Sequence, residues 1–302
     1  MSSILYANWR FAFVGAYFPP CARAMAAALF AASLAFAAID DELSTLGKRH
    51  GTDKVKHGFT KLYNARFSPL RSSVRHVLEV GVFFGSSLRM WQDFFPHAQI
   101  VGLDSFKGVQ GYMCRPEDKW CNHGRTPGQR LTFDNPESFL QEWRSGHDAS
   151  SALSRIQLVV GNQSDSADME RVVSELLPFS PFDIIIEDGS HLNGDQQRNL
   201  AQLLPLLSPG GTYVIEDVHS SLELGYDDPP GSADTTLRVV EHFNQTGVLH
   251  SRHLSRAESH SLQRSMRSVE CVVLGLDRPM YKQSGACFVT KKREKGGGGA
   301  AF

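Results

Sequence analysis

In the 302-residue sequence, Glu187-Asp188-Gly189-Ser190-His191 stands directly after the apolar run Ile184-Ile185-Ile186. Two carboxylates, a glycine turn and an imidazole at the tip of such a run do nothing for packing, because an unpaired charge is costly to bury. Asp188 is an oxygen donor suited to a hard divalent cation, and His191 is spaced to take a proton from a hydroxyl. A companion set, Glu216-Asp217-Val218-His219, ends the next apolar run. Two carboxylates brought together without a cation repel, so that one must hold a proton. An Mg2+ ion shared by Asp188 and Asp217 relieves that conflict and lowers the pKa of a hydroxyl placed on it. A structural histidine and two solvated strand-end acids stay open as alternatives at this point.

A second group of residues points to a nucleoside crevice. Leu78-Glu79-Val80-Gly81-Val82-Phe83-Phe84-Gly85 lies where a strand gives way to a helix, and glycines there permit close approach of a ligand to the backbone. A dinucleotide fingerprint requires G-x-G-x-x-G with pyrophosphate at the helix N-terminus, whereas Phe83 stands where the middle glycine belongs. Glu79, two residues before Gly81, suits a positively charged ligand without phosphate, and S-adenosylmethionine is one. Asp104, 25 residues after Glu79, ends the next strand and is placed to accept ribose hydroxyls, a feature that fits NAD equally. Gln163 and Asp165, in Gly161-Asn162-Gln163-Ser164-Asp165, face the same crevice as candidate adenine contacts, with a helix N-cap at Ser164 or Asp165 as the alternative.

The elements that must position these residues alternate in type. Strand-length apolar runs at 75–80, 99–104, 155–160, 182–187 and 211–216 are separated by helical periods, including 86–95 and 195–207, the latter stopped by Ser208-Pro-Gly-Gly211. Two late strands, 269–275 and 284–290, close the sheet as an antiparallel pair. Residues 107–150 read as a long insertion or lid, residues 40–290 as one domain, and 291–302 as a frayed basic and glycine-rich tail. Residues 1–39 hold no acid and a short apolar run, which reads as a targeting peptide or an apolar N-terminal segment. The compartment is then the secretory pathway or an organelle, and otherwise the cytoplasm.

Lys plus Arg (31) balance Asp plus Glu (32), so no field exists to collect nucleic acid. The expected partner is a small molecule, with a homo-oligomer possible and no stable membrane span beyond the N-terminal segment. Five cysteines lack any CxxC pair; Cys114 and Cys121 are a candidate disulfide in an oxidising compartment.

Six ordered motifs then carry a resemblance. Gly51-Thr52-Asp53-Lys54 with His57-Gly58-Phe59-Thr60 and Tyr63 following, then Leu78 to Gly81, Gly85 to Trp91, Gly161 to Asp165, Glu187 to His191 and Val214 to Asp217 together resemble the S-adenosylmethionine-dependent sugar O-methyltransferases of macrolide biosynthesis. The resemblance implies a Rossmann-like class I methyltransferase fold: a mostly parallel seven-stranded sheet with an antiparallel last strand and helices on both faces. It also implies S-adenosylmethionine as donor, Mg2+, and a sugar hydroxyl as acceptor. By position it makes Asp188 and Asp217 metal ligands, His191 the general base, and Glu79, Gly81 and Asp104 donor contacts. It likens residues 51–63 to a piece folding over the donor. No third protein ligand is assigned. Asn162 departs from the family's usual Asp, and the 107–150 stretch is longer than the family's, so the acceptor is the least transferable feature. The rivals from other classes are an NAD-dependent oxidoreductase and a non-catalytic binding protein that keeps the fold.

Overall fold

The computed structural model describes residues 41–106, 155–274 and 284–293. The leader 1–39, the insertion 107–150 with Cys114 and Cys121, and the tail beyond residue 293 lie outside them. All the described residues belong to the unit Asp41–Phe302.

Seven strands, β1 (His76–Val80), β2 (Gln99–Asp104), β3 (Ile156–Val160), β4 (Phe182–Glu187), β5 (Leu207–Glu216), β6 (Met266–Leu274) and β7 (Ser284–Lys291), form one sheet in the order β3-β2-β1-β4-β5-β7-β6. The first five are parallel, and β7 runs antiparallel to both β5 and β6. The chain order reverses between β1 and β4, the position at which an open α/β sheet leaves a crevice at its strand ends.

Period-two alternation along the strands divides the core in two. Leu78, Val80, Ile185, Tyr213 and Ile215 face one side. There they meet α5 (Ser166–Leu176), α6 (Asn193–Leu203), α7 (Thr236–Thr246) and α8 (Arg256–Ser265). Val77, Ile184, Ile186 and Val214 face the other, against α1 (Glu42–His50), α3 (Phe59–Phe67) and α4 (Ser86–Phe94). The short α2 (Lys54–His57) joins α1 to α3. On this second side Tyr63 stacks on Phe67 (centroids 5.6 Å apart) and meets Trp91 edge-on at 5.4 Å. Trp91 and Phe95 are therefore core residues, as their helical spacing implies.

The parity also decides where the acids go. Glu79 and Glu216 lie in step with Val77 and Val214 and face the α1–α4 side. Glu187 lies in step with Ile185 and faces α6.

Several boundaries differ from those the sequence predicts. Helix α6 ends at Leu203, a 3-10 turn covers Leu204–Leu206, and β5 already begins at Leu207. Ser208-Pro-Gly-Gly211 is thus an irregularity inside β5, not the stop of a helix. Pairing with β4 jumps from Phe182↔Leu207 to Ile184↔Thr212, and Gly210 takes φ 82° to absorb the shift. Strand β6 starts at Met266, three residues before the expected 269. Strand β7 runs to Lys291, whose ammonium donates to the carbonyls of Pro205 (2.9 Å) and Leu207 (2.5 Å). None of the described helices is long and apolar enough to cross a membrane.

A disulfide joins Cys271 of β6 to Cys287 of β7, residues directly opposite in the ladder and 16 apart in sequence. Closing a loop of that length restricts the unfolded chain by about 3 kcal/mol on the loop-entropy model. Reduction of the native chain should lower its unfolding free energy by about 2–4 kcal/mol in urea denaturation. The Cys271→Ser/Cys287→Ser variant should show no further loss on reduction.

Candidate active site at the strand ends

Strands β1, β2, β4 and β5 deliver their last residues to one edge of the sheet. Four non-glycine residues have positive φ there: Phe83 (52°), Phe106 (50°), His191 (60°) and Asp217 (53°). Each follows a strand end by one to four residues. A conformation that ordinary side chains avoid, repeated at four neighbouring tips, is the usual mark of a functional edge.

Asp188, His191 and Asp217 meet at this edge, with one ligand-type atom of each within 4.8 Å of the others. His191 Nε2 lies 3.5 Å from Asp217 Oδ2, and His219 Nδ1 lies 3.5 Å from Asp217 Oδ1. Asp217 therefore sits between two imidazoles. Burial pushes the His219 imidazole below its ordinary pKa; the Asp217 and Glu223 carboxylates oppose this, while His191 and His57 add to it. His219 is thus the neutral neighbour of the group. Buried Asp217 Oδ1 and His191 Nδ1 have no hydrogen-bond partner. Orphaned acceptors of this kind, on two side chains that face a third oxygen donor, fit a divalent cation with oxygen and nitrogen ligands.

One layer deeper lies a second set of acids. The Lys54 side chain, 2% exposed, reaches Glu216 Oε1 at 2.7 Å, Glu79 Oε1 at 3.2 Å and Asp188 Oδ2 in direct contact. Tyr63 donates its hydroxyl to the same Glu216 Oε1 at 2.5 Å. Burial alone would lower the Lys54 pKa, but the carboxylates of Asp188, Glu216 and Glu79 outweigh it and hold the ammonium charged. The acids still outnumber the base. Burial, and then the neighbouring Asp188, push Glu216 well above the usual carboxylate range against the pull of Lys54. Glu79 is raised by burial too. The strand ends therefore hold more carboxyl groups than one ammonium can balance, and a proton or a further cation has to make up the difference. Lys54 and Tyr63 belong to the N-terminal motif in the sequence, but nothing local distinguishes a buried counterion from a surface lysine.

The residues read as donor contacts have defined places. Buried Glu79 accepts Ser87 Oγ at 2.7 Å. Asp104 Oδ2 accepts the backbone amides of Val82 (2.8 Å) and Phe83 (3.2 Å), and its Oδ1 accepts that of Phe106 (2.9 Å). The amides that would cradle a pyrophosphate after β1 are thus already taken by a carboxylate. Gly81 has φ 90°, and a Cβ there would lie 1.9 Å from the carbonyl oxygen of Asp188. The sequence reading left this space for a ligand; the structure fills it with the backbone of the β4 tip. Gln163 lies over Gly189, where a Cβ would meet its amide at 2.0 Å, and accepts Asn199 Nδ2 at 3.2 Å. Asp165 caps α5 by accepting the amides of Ala167 and Asp168, so its Oδ1 carries the alternative role of a helix cap.

Buried Asp195 ties the two turns together by accepting Ser164 Oγ (2.5 Å) and Ser190 Oγ (2.7 Å). Beyond β5, Asn193 accepts the Thr236 amide (2.8 Å) and Ser221 Oγ (2.9 Å), which fixes the loop that follows Asp217. In that loop burial raises the Tyr226 pKa, and the Glu223 and Asp217 carboxylates add to it. No sequence pattern pointed to Asp195 or Tyr226, whose partners are distant in the chain.

Residues 78–218, which span these strand ends, match the family described as a methyltransferase domain. This stretch is similar to methyltransferase domains. Mycinamicin VI 2''-O-methyltransferase of Micromonospora griseorubida is 32% identical over 212 residues, 66% of this chain and 42% of its own length. Demethylmacrocin O-methyltransferase of Streptomyces fradiae is also 32% identical over 212 residues, 66% of this chain and 43% of its own. Among solved structures, the MycE methyltransferase of the mycinamycin pathway, in complex with Mg, SAH and mycinamycin VI, aligns with a TM-score of 0.55 at 26% identity, covering 88% of this chain and 58% of that one. The chain spans less than half the length of these curated relatives. The strand order and the antiparallel β7 are those expected of the class I methyltransferase fold.

Two consequences of this arrangement are measurable. Gly81→Ala should lower stability by about 1–3 kcal/mol from backbone conformation alone, with the clash against Asp188 adding to it; urea denaturation checks this. Glu187 is raised from 4.5 to about 8, first by burial and then by Asp188. The folded chain therefore keeps a proton that the unfolded chain loses between those values. The Glu187 contribution is complete below pH 4.5 and is lost as the pH climbs through 8. Glu187→Gln should flatten the fall of unfolding free energy across that window, and an unchanged slope would contradict the assignment.

Proposed function

We propose that the chain is an S-adenosylmethionine-dependent, Mg-assisted O-methyltransferase acting on a hydroxyl of a sugar or another small-molecule acceptor. The observation that carries this reading is the convergence of Asp188, His191 and Asp217 within 4.8 Å at the mouth of the β1–β4 crevice. Asp188 and Asp217 would hold the cation, and Gly81, Asp104, Gln163 and Asp165 would line the donor site, with Glu79 buried behind the β1 turn. When bound, Mg2+ would polarise the acceptor hydroxyl, and S-adenosylmethionine would supply an already activated methyl group.

The chain's own part is placement. His191, 30% exposed, is accessible beside the two carboxylates and would take the hydroxyl proton. Asp217 Oδ2, 3.5 Å from Nε2, would hold the ring in place. Asp104 locks the turn after β1 through two backbone amides, so the donor meets a rigid wall. Most of the rate gain in such a transfer comes from orientation.

The same geometry disfavours a nicotinamide oxidoreductase, because Phe83 replaces the middle glycine and the phosphate-cradling amides are spent on Asp104. The sugar-type acceptor is supported by what the names of the relatives describe: a 2''-O-methyltransferase of mycinamicin VI and an O-methyltransferase of demethylmacrocin. Residues 107–150 keep their reading as an insertion that shapes the acceptor pocket, and residues 1–39 as a targeting peptide or apolar segment.

His191→Ala should reduce turnover by about 10²–10⁴-fold, the usual worth of a general base, while calorimetry shows S-adenosylmethionine bound as in the wild type. Chelation should abolish wild-type turnover, and added Mg2+ should restore it. Undiminished turnover in His191→Ala would exclude the base, and calorimetry showing NAD bound in preference to S-adenosylmethionine would exclude the class.

A further inference from the structure

Two sets of ligand-type side chains share Asp188. The outer set is Asp188, His191 and Asp217, half-buried; the inner set is Glu79, Asp188 and Glu216, of which the two glutamates are fully buried. In each set the facing atoms lie within 4.8 Å of one another. A carboxylate common to two such sets is the bridge from which two-cation centres are built.

The inner set already encloses a cation. Lys54 Nζ lies against Asp188 Oδ2, 2.7 Å from Glu216 Oε1 and 3.2 Å from Glu79 Oε1. Glu79 Oε1 is enclosed and makes no hydrogen bond, so the ammonium faces it as a charge and not as an aligned donor. Tyr63, also fully buried, closes Glu216 from solvent. The ammonium is thus ringed by oxygens from the ends of β1, β4 and β5, as a metal ion would be. It carries one charge against three acids.

We propose that the Lys54 ammonium occupies the inner set in place of a second divalent ion and so keeps the centre mononuclear. The inference rests on reading the outer set as the metal site. It ties the N-terminal helices to the chemistry, because α2 brings a tethered monovalent cation to Asp188 and leaves that carboxylate's other oxygen for the outer set. Lys54 is a positioning residue in this arrangement and touches neither donor nor acceptor.

The test is an Mn2+ titration of the intact wild-type chain and of Lys54→Met and Lys54→Met/Glu79→Gln, counting bound ions from the electron paramagnetic resonance signal of free Mn2+. Circular dichroism follows the fold of each chain. Lys54→Met should bind one more Mn2+ than the wild type and regain its fold on adding the ion if it has lost it. The double variant, with its inner set broken, should bind the wild-type number. Equal numbers in the wild type and Lys54→Met would overturn the inference, as would an extra ion retained in the double variant. So would a Lys54→Met chain that stays unfolded in millimolar Mn2+. A wild type that binds none beside a Lys54→Met chain that binds one would remove the outer site and with it the mononuclear centre, and would keep only Lys54 as the occupant of the inner set.

Discussion

The imbalance of charge at the tips of β1, β4 and β5 governs much of this molecule. Glu79 and Glu216 are buried completely, Asp188 is partly buried, and a single ammonium stands among them. Removing one partner from a buried ionic group leaves an uncompensated charge worth about 3–5 kcal/mol, so these side chains stand or fall together. The helices before β1 are therefore not an appendage. Their aromatic residues pack on the sheet so that Lys54 and Tyr63 arrive at the acids, and the acids hold those helices in return. Strand alternation completes the arrangement by sending Glu79 and Glu216 to that side and Glu187 to the other.

The same constraint orders the chemistry. A surplus of carboxyl groups at a strand edge favours cations, and the outer trio is half-buried while the two glutamates of the inner trio are sealed. Strained backbone at His191 and Asp217 aims both side chains at one point, and the fixed turns after β3 and β4 share Asp195 as a tie. A methyl donor that is already activated asks little more of a protein than such alignment. The strand edge accordingly shows a rigid turn around Asp104 beside a site in which His191 Nδ1 and Asp217 Oδ1 make no hydrogen bond.

Much of this was legible in the residues because the signals were local. Apolar runs ending in acids marked β4 and β5, and the parallel pairing of those strands follows from their alternation with helices. What escaped was non-local or ambiguous in type. Cys271 and Cys287 meet only because β6 and β7 pair in one register. Gly81 reads as space for a ligand, but its neighbour is a carbonyl more than a hundred residues away in sequence. Ser208-Pro-Gly-Gly211 has the composition of a helix stop, yet the chain has already entered β5, where glycine absorbs a break in register. Lys54 lies in a short polar segment whose pattern is that of a surface, and only the three-dimensional convergence of the acids explains its burial.

The most direct test is a crystal structure of the chain grown with Mn2+ and S-adenosylhomocysteine, with data collected at the manganese edge. The account predicts an anomalous peak in bonding contact with the carboxylates of Asp188 and Asp217, and adenosine density beside Asp104. A saturated crystal with no peak between those carboxylates, or with the nucleoside away from the β1 turn, would contradict it.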